Sequence, residues 1–348
     1  MLIIRPVRLT DVDALVELTE LTGFGLTTLP RDRALLERRV RDACRAFDHL
    51  DDDIPHGQNY LFIMHEPGSD QIVGTAGVTS KVGGYEPFYA YRIESELHES
   101  ATLNVRKNIQ TLHLLREHDG PCEVGSLFLH PGYRRDGNGR ALSLARFLFM
   151  AEHPTRFDPR VIAELRGVID HLGHSPFWDA VGKHFFDIDL LTADYLSIVD
   201  KQFIADLMPR HPIYIPMLPP QAQAVIGQCH DETAPARALL EQEGFTFSHM
   251  VDIFEAGPIV EAPRDEIRTI RASRLGIVQA IVQTPADDAP MHLLATVGRD
   301  FLALHTPLSH THDGGLALPR AAGEALGVTP GDTLRYVPLR PAIQPPSG

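Results

Sequence analysis

Apolar positions along this chain recur with two periods, and the periods divide it into elements. Residues 2–7 (LIIRPV) read as a strand. Residues 11–21 carry Val12, Leu15, Val16 and Leu18 on one side of a helix, and a second helix is expected over about 31–47. Residues 60–66 and 72–81 read as two strands joined by the turn Pro67-Gly68-Ser69-Asp70, and 89–96 as a third, before a polar stretch. An apolar strand at 124–129 leads through Pro131-Gly132 and Arg134-x-x-Gly137-x-Gly139 into a helix marked by Leu142, Ala145, Leu148 and Phe149. A strand at 160–169 follows. Ser175-Pro176 then opens a helix whose Phe177, Trp178, Val181 and Phe185 are expected to pack in a core. Residues 203–207 read as helical, and five prolines between Pro209 and Pro220 punctuate an extended connector. Residues 221–226 read as a short helix or the approach to one, with strand character at 225–228. A helix at 234–243 is closed by Gly244, and 245–254 is a strand.

Composition shifts at Gly257-Pro258. Short apolar runs follow, then a strand, helix, turn and strand over 316–339 (LALPRAAGEALGVTPGDTLRYVPL). This pattern predicts a unit at 1–257, a small separate β-rich domain at 258–340 and a disordered tail at 341–348. The 316–339 segment resembles the half-barrel unit of swapped-hairpin barrel proteins, some of which bind DNA.

The stretch 122–150 (CEVGSLFLHPGYRRDGNGRALSLARFLFM) carries the strongest chemical signal. Strand, glycine loop and helix start, in that order, expose backbone N–H groups at the positive end of a helix dipole. Glycines let a ligand approach that backbone without a Cβ in the way. A bound phosphate or pyrophosphate is therefore predicted there.

Charge narrows the ligand. Lys and Arg number 32 against 46 Asp and Glu, a formal net charge of −14. That balance argues against non-specific binding of nucleic acid or of an anionic membrane, makes a structural or interface role likelier than DNA binding for 316–339, and suits a cationic small substrate. A length of 348 residues allows one large domain with additions, or two. No apolar run approaches the ~20 residues that cross a bilayer. The start MLIIRPVRLTDVDAL lacks the features of a signal peptide. Cys44, Cys122 and Cys229 cannot all pair and form no CxxC spacing, so a reducing cytoplasm is the expected location. His305, His310 and His312 cluster locally, but nothing nearby supplies a second half-site, so a polar loop is expected and no metal.

A glycine loop alone is weak evidence. A Rossmann reading wants the loop early in a βαβ series, a kinase reading an HRD-type loop, and a Walker loop Gly-Lys-Ser/Thr; none of these is met. The pattern Arg134-x-x-Gly137-x-Gly139 after an apolar strand instead resembles the acyl-CoA motif of GCN5-related N-acyltransferases. Residues 234–245 (APARALLEQEGF) are similar to that superfamily's later helix and strand, with an insertion of about 151–217 between the two markers. At family level the chain resembles the arginine N-succinyltransferases. The resemblance is carried in family order by IRPV (4–7), GLTTLP (25–30), SLFLHPGYRRDGNGR (126–140), AELRGVID (163–170), SPFW (175–178), ADLMPRHPIY (205–214), VIGQCHDETAPARALLEQEGF (225–245) and DIFEAGP (252–258).

That resemblance implies an α/β (α+β) fold with a mixed, mostly antiparallel sheet flanked by helices. It implies transfer of succinyl from succinyl-CoA, a co-substrate rather than a bound cofactor, to the α-amine of L-arginine. It makes His230, in Gly-Gln-Cys-His, the proton donor, and Leu127 the succinyl-CoA contact on the strand. The loop residues Arg134, Gly137, Asn138 and Gly139 would bind CoA. Arg135 is a further phosphate candidate, and a carboxylate near Glu123 orders water in many related enzymes. Arg92, Arg166 and Lys183 are candidates for the succinyl carboxylate; Asp170, Glu164 and Asp252 are candidates for the guanidinium. The loop at 22–30, with Phe24 between glycines, suits a substrate lid. Two other readings stay open: an acyltransferase for another amine such as ornithine, and a non-catalytic acyl-CoA-binding partner. So do a homo-oligomer and a hetero-oligomer with a related subunit.

Overall fold

The structure is a computed structural model and describes residues 1–22, 28–51, 54–69, 71–286 and 288–341. The expected lid residues 23–27 and all but the first residue of the expected tail lie outside the described residues. The strands of the main body, in chain order, are β1 (Ile3–Pro6), β2 (Asn59–His65), β3 (Ile72–Thr79), β4 (Phe88–Ser100), β5 (Val105–Glu117), β6 (Cys122–Leu129), β7 (Arg160–Glu164), β8 (Ile213–Tyr214), β9 (Thr246–Val251) and β10 (Pro258–Pro263). They stand in the order β1-β2-β3-β6-β7-β10-β9-β4-β5-β8, and every neighbouring pair is antiparallel except β6 with β7. This is the mixed, mostly antiparallel α/β sheet that the sequence motifs imply.

Helices cover both faces. β2 shows why: its side chains alternate across the sheet. Tyr60, Phe62 and Met64 join the core under α3 (Asn138–Glu152), while Leu61 and Ile63 pack under α1 (Val12–Glu20) and α2 (Arg33–Asp48), α1 to α3 being numbered here in chain order. Phe62 meets Phe149 of α3 edge-on at 5.2 Å between ring centroids. Apart from a few residues at its ends, α3 is buried all round, because the C-terminal strands cover the side that the sheet leaves open.

The expected insertion folds as short helices against the far end of the sheet. Phe177 and Trp178 are buried there with Tyr91, Leu112 and Val251. The sequence pattern put Phe185 in this core, but Phe185 is 43% exposed, and its neighbour Phe186 stacks on Trp178 at 5.5 Å. The break at Val181, with φ of −125° and ψ of −75°, turns the chain between two short helices and shifts the helical phase. Three strand expectations also change. The polar stretch after residue 96 continues β4 to Ser100, and β5 returns from it as a 13-residue antiparallel partner. The strand expected over 160–169 ends at Glu164, where Gly167 lies so close to the Glu255–Gly257 backbone that a Cβ would sit 2.6 Å from the Glu255 carbonyl oxygen. Residues 225–228 form no strand; the helix Pro220–Val225 runs into a turn.

The composition shift at Gly257-Pro258 falls inside the sheet, since Pro258–Pro263 is β10 and pairs with β7 and β9. The later strands β11 (Arg274–Val282), β12 (Met291–Thr296), β13 (Ala303–Pro307), β14 (Ser309–His310), β15 (Leu316–Pro319) and β16 (Thr333–Pro338) form a β-rich unit with the helix Arg320–Leu326. Residues 316–338 fold as strand, helix, turn and strand, as their pattern predicts. The unit joins the main sheet at Ile4↔Ala303. At the junction, buried Glu243 accepts hydrogen bonds from Arg268 and from the Thr269 N–H, at 2.8 and 2.7 Å. Among the described residues no helix is long and apolar enough to cross a membrane.

Candidate active site

The site begins where two parallel strands part. β6 and β7 pair only at Cys122↔Val161 and Glu123↔Ile162, and from Gly125 onward the edge of β6 that faces β7 is free of ladder partners. A bulge lies at that point. Against β3 the register passes from Gly77↔Gly125 to Thr75↔Phe128, leaving one extra residue in β6. Ser126 takes it up with φ of 51°, a strained conformation for a side-chain-bearing residue. Three hydrogen bonds to two neighbours hold it. The Thr75 hydroxyl donates to the Ser126 carbonyl at 2.8 Å, the Ser126 N–H donates to Thr28 Oγ1 at 3.2 Å, and the Ser126 hydroxyl donates to the Thr28 carbonyl at 3.1 Å. Gly77 is required opposite, because a Cβ there would lie 2.8 Å from Ser126 Oγ. The bulge turns Leu127 toward a cleft of about 700 Å³.

The glycine loop closes the other end of β6. Gly137 precedes α3 with φ of 84°, and Asp136 before it has φ of 56°. The Gly139 and Arg140 N–H groups, at the second and third positions of α3, have no acceptor among the described residues. A Cβ on Gly139 would make only ordinary contact with Leu129, so packing does not demand glycine there. Asn138 is buried, its Nδ2 donates to the Tyr133 carbonyl and its own N–H to the Arg135 carbonyl, both at 3.0 Å; it braces the loop from inside. Arg134 donates from Nε to the Leu129 carbonyl at 3.0 Å and lies over the Phe128 ring, with the rest of its guanidinium exposed. The C-terminal unit supports this loop: His305 Nε2 meets the Asp136 carbonyl at 3.1 Å, and a Leu339 methyl lies 3.0 Å from where a Gly137 Cβ would be.

Among the carboxylates that line the cleft are Glu123, Glu164, Asp194, Asp252 and Glu255. Enclosure by protein raises the carboxyl of each above its ordinary range. For Glu164 and Glu255 neighbouring negative charges add to this. Glu164 is open to water at the cleft floor, but the walls around it remove most of the solvent that would stabilise its charge. Asp194 is pushed up to about 7, by desolvation first and the Asp252 charge second, with Arg166 opposing. Asp252 also accepts the Phe254 and Glu255 N–H groups at 2.9 and 2.8 Å, which fixes the turn that carries Glu255. Arg39, Arg146, Arg166 and Lys201 supply positive charge within the same cleft.

His230 follows the turn after the helix Pro220–Val225 and caps the turn Asp231–Thr233, beside the cleft but outside its lining. Its N–H donates to the Arg166 carbonyl at 2.9 Å, which ties it to the cleft wall. Its Nδ1 accepts the Glu232 N–H at 3.2 Å, so the neutral ring carries its proton on Nε2. Thr233 and Ala236, one turn on, line the cleft. Among the other candidates, Glu164, Asp252, Arg166 and Glu123 meet here. Asp170 instead accepts from Leu172 and His174 in an exposed turn, Arg92 pairs with Glu94, and Lys183 with Asp179. Arg39, Asp194, Lys201 and Glu255 were not anticipated. Asp194 and Lys201 come from the insertion, whose packing no local pattern discloses.

A family model described as the arginine N-succinyltransferase beta subunit matches residues 2–269, and one described as the C-terminal domain of that subunit matches 274–338. The chain belongs to the arginine N-succinyltransferase family. Its relatives within the family include the arginine N-succinyltransferase of Enterobacter sp. (strain 638), 43% identical with 98% of both chains covered. That of Salmonella schwarzengrund (strain CVM19633) is 41% identical, covering 97% of this chain and 98% of the relative. The structure is similar to that of arginine/ornithine succinyltransferase subunit AI from Pseudomonas aeruginosa, with a TM-score of 0.88, 30% identity, and 98% and 99% of the two chains covered. Membership makes this chain an acyltransferase that uses an acyl-CoA co-substrate.

Proposed function

We propose that this chain transfers succinyl from succinyl-CoA to the α-amine of L-arginine, giving N2-succinyl-L-arginine and CoA. The observation that supports it best is one cleft that joins the free edge of β6 to a ring of carboxylates. The N–H groups of Gly139 and Arg140 suit the CoA pyrophosphate at the α3 N-terminus, with Arg134 beside them. Gly137 and Asn138 shape that loop. The pantetheine arm would pair with the free edge of β6, and the Leu127 N–H would face the thioester oxygen, where negative charge gathers in the tetrahedral intermediate.

Arginine brings two cationic groups, and Glu164, Asp194, Asp252 and Glu255 receive them. Attack requires a neutral amine. Asp194, titrating at about 7, suits removal of that proton near neutral pH. The amine nitrogen then bonds to the thioester carbon and the C–S bond breaks; the nitrogen loses its second proton as the amide forms, and that proton reaches the departing thiolate through His230, so the ring ends neutral as it began. Transfer is direct, with no acyl-enzyme. The unit before Arg274 carries the chemistry, and the C-terminal unit holds the phosphate loop in place.

Steady-state rates with arginine and ornithine, each against succinyl-CoA and acetyl-CoA, test this reading. The expected result is the highest kcat/KM for arginine with succinyl-CoA. A preference for acetyl-CoA would overturn the acyl assignment, a preference for ornithine the amine assignment, and no turnover with any pair would favour a non-catalytic acyl-CoA-binding subunit.

A further inference from the structure

Succinyl differs from the commoner acyl groups by a second carboxylate, two methylenes beyond the thioester carbonyl. A buried carboxylate needs a cation or several N–H donors. Six cations line the cleft. Arg38 is exposed at its rim, and Lys81 pairs with Asp119 and lies 3.9 Å from Asp158. Arg146 donates to the Ser143 carbonyl, the Ser143 hydroxyl and the Gly125 carbonyl, so its fork is spent on the backbone around β6. Arg166 has a buried Nε with no hydrogen-bond partner, but it is charge-paired, with Glu232 at 3.5 Å and with Glu255 and Asp194 facing it. Lys201 forms no ion pair within 4 Å among the described residues, but its charge acts on both Glu123 and Glu164.

Arg39 is different. It rises from α2 on the β6 side of the cleft and donates from Nη2 to Ser126 Oγ at 3.0 Å, at the bulge that presents Leu127. It forms no ion pair among the described residues, and its Nε is shut off from water with no hydrogen-bond partner. Burial lowers its pKa, and the Glu123 charge only partly opposes this. A buried guanidinium with an unmet donor is costly to keep, and an anion placed there would satisfy it. Its place beside Ser126 is also the right end of the cleft, next to the residue that would hold the thioester. The Ser126 hydroxyl passes its own proton to the Thr28 carbonyl, so Arg39 is held by a chain that starts in the 22–30 loop.

We propose that Arg39 receives the distal carboxylate of the acyl group and so selects a dicarboxylic monothioester, an inference that rests on the acyl-transfer reading of this cleft. Succinyl-CoA and butyryl-CoA separate it from that reading, because butyryl replaces the carboxylate by a methyl group and changes little else. Wild-type kcat/KM with arginine is expected to favour succinyl-CoA strongly. If it does not, the succinyltransferase reading itself fails. In Arg39→Gln, kcat/KM for succinyl-CoA should fall about 100-fold while butyryl-CoA changes by less than roughly threefold, so the ratio collapses. Arg39→Met, which keeps an unbranched stem, is the second variant should glutamine disturb the fold, and the same collapse is expected of it. An unchanged ratio overturns the proposal. Equal losses with both substrates overturn it too, since they would mean that Arg39 only supports the Ser126 bulge.

Discussion

Asp194→Asn should make this protein more stable at alkaline pH and less active. In the folded chain the Asp194 carboxyl is pushed up to about 7, against an ordinary value of 3.8. Below about pH 4 the group is protonated both folded and unfolded, and its contribution to stability is at its fullest. Between about pH 4 and 7 the unfolded chain loses that proton while the folded chain keeps it, so stability falls as pH rises through the window. Each pH unit is worth ~1.4 kcal/mol, which puts the accumulated loss at no more than about 4 kcal/mol by pH 8. Asparagine keeps the shape and does not ionise. The variant should therefore match the wild type near pH 4 and exceed it at pH 8, by roughly 4–8 °C in Tm once relaxation of the neighbouring carboxylates is allowed for. Thermal melts followed by circular dichroism from pH 4.5 to 8 measure this. A Tm difference independent of pH, or a variant less stable at pH 8, would refute the electrostatic account. The same variant should lose about 100-fold or more in kcat/KM for arginine, if Asp194 takes the amine proton. Full activity with the altered pH profile would keep the electrostatics and remove the residue from the chemistry.

His230→Ala should lower kcat by about 10²–10⁴ and leave CoA affinity, read by equilibrium titration, nearly unchanged, because in the proposed mechanism the ring serves the leaving sulfur and not the phosphates; unchanged turnover would exclude the proton-donor role. Gly137→Ala places a Cβ on a residue with φ of 84°, 3.0 Å from Leu339. It should destabilise the chain by about 1–2 kcal/mol and raise KM for succinyl-CoA more than it lowers kcat; an unaltered KM would show that the loop does not hold the co-substrate.

Much of the site was legible because its signals are local. The order of strand, glycine loop and helix around Gly137 and Gly139 depends on backbone geometry within about twenty residues, and the structure builds it as read. His230 was found by its place in a short motif. Other signals misled or were silent for physical reasons. β5 escaped notice because both faces of its outer half are exposed, so no apolar alternation marks it. Phe185 was misplaced because a break at Val181 reset the helical phase that the pattern assumed to be continuous. The expected boundary at residue 257 followed composition, but β10 beyond it is held by pairing to β7 and β9.

The sequence by itself determined the acidic balance, the glycine loop between strand and helix, and the family, since these rest on residue identity and near spacing. Only the tertiary structure decided which charges meet. Glu123, Glu164, Asp194, Asp252 and Glu255 are scattered over more than a hundred positions, and their carboxyl groups are raised only because folding brings them into one poorly solvated cleft. Arg39 belongs with them for the same reason. In the unfolded chain it is one arginine among many, and its unmet Nε exists only where α2 lies against the Ser126 bulge.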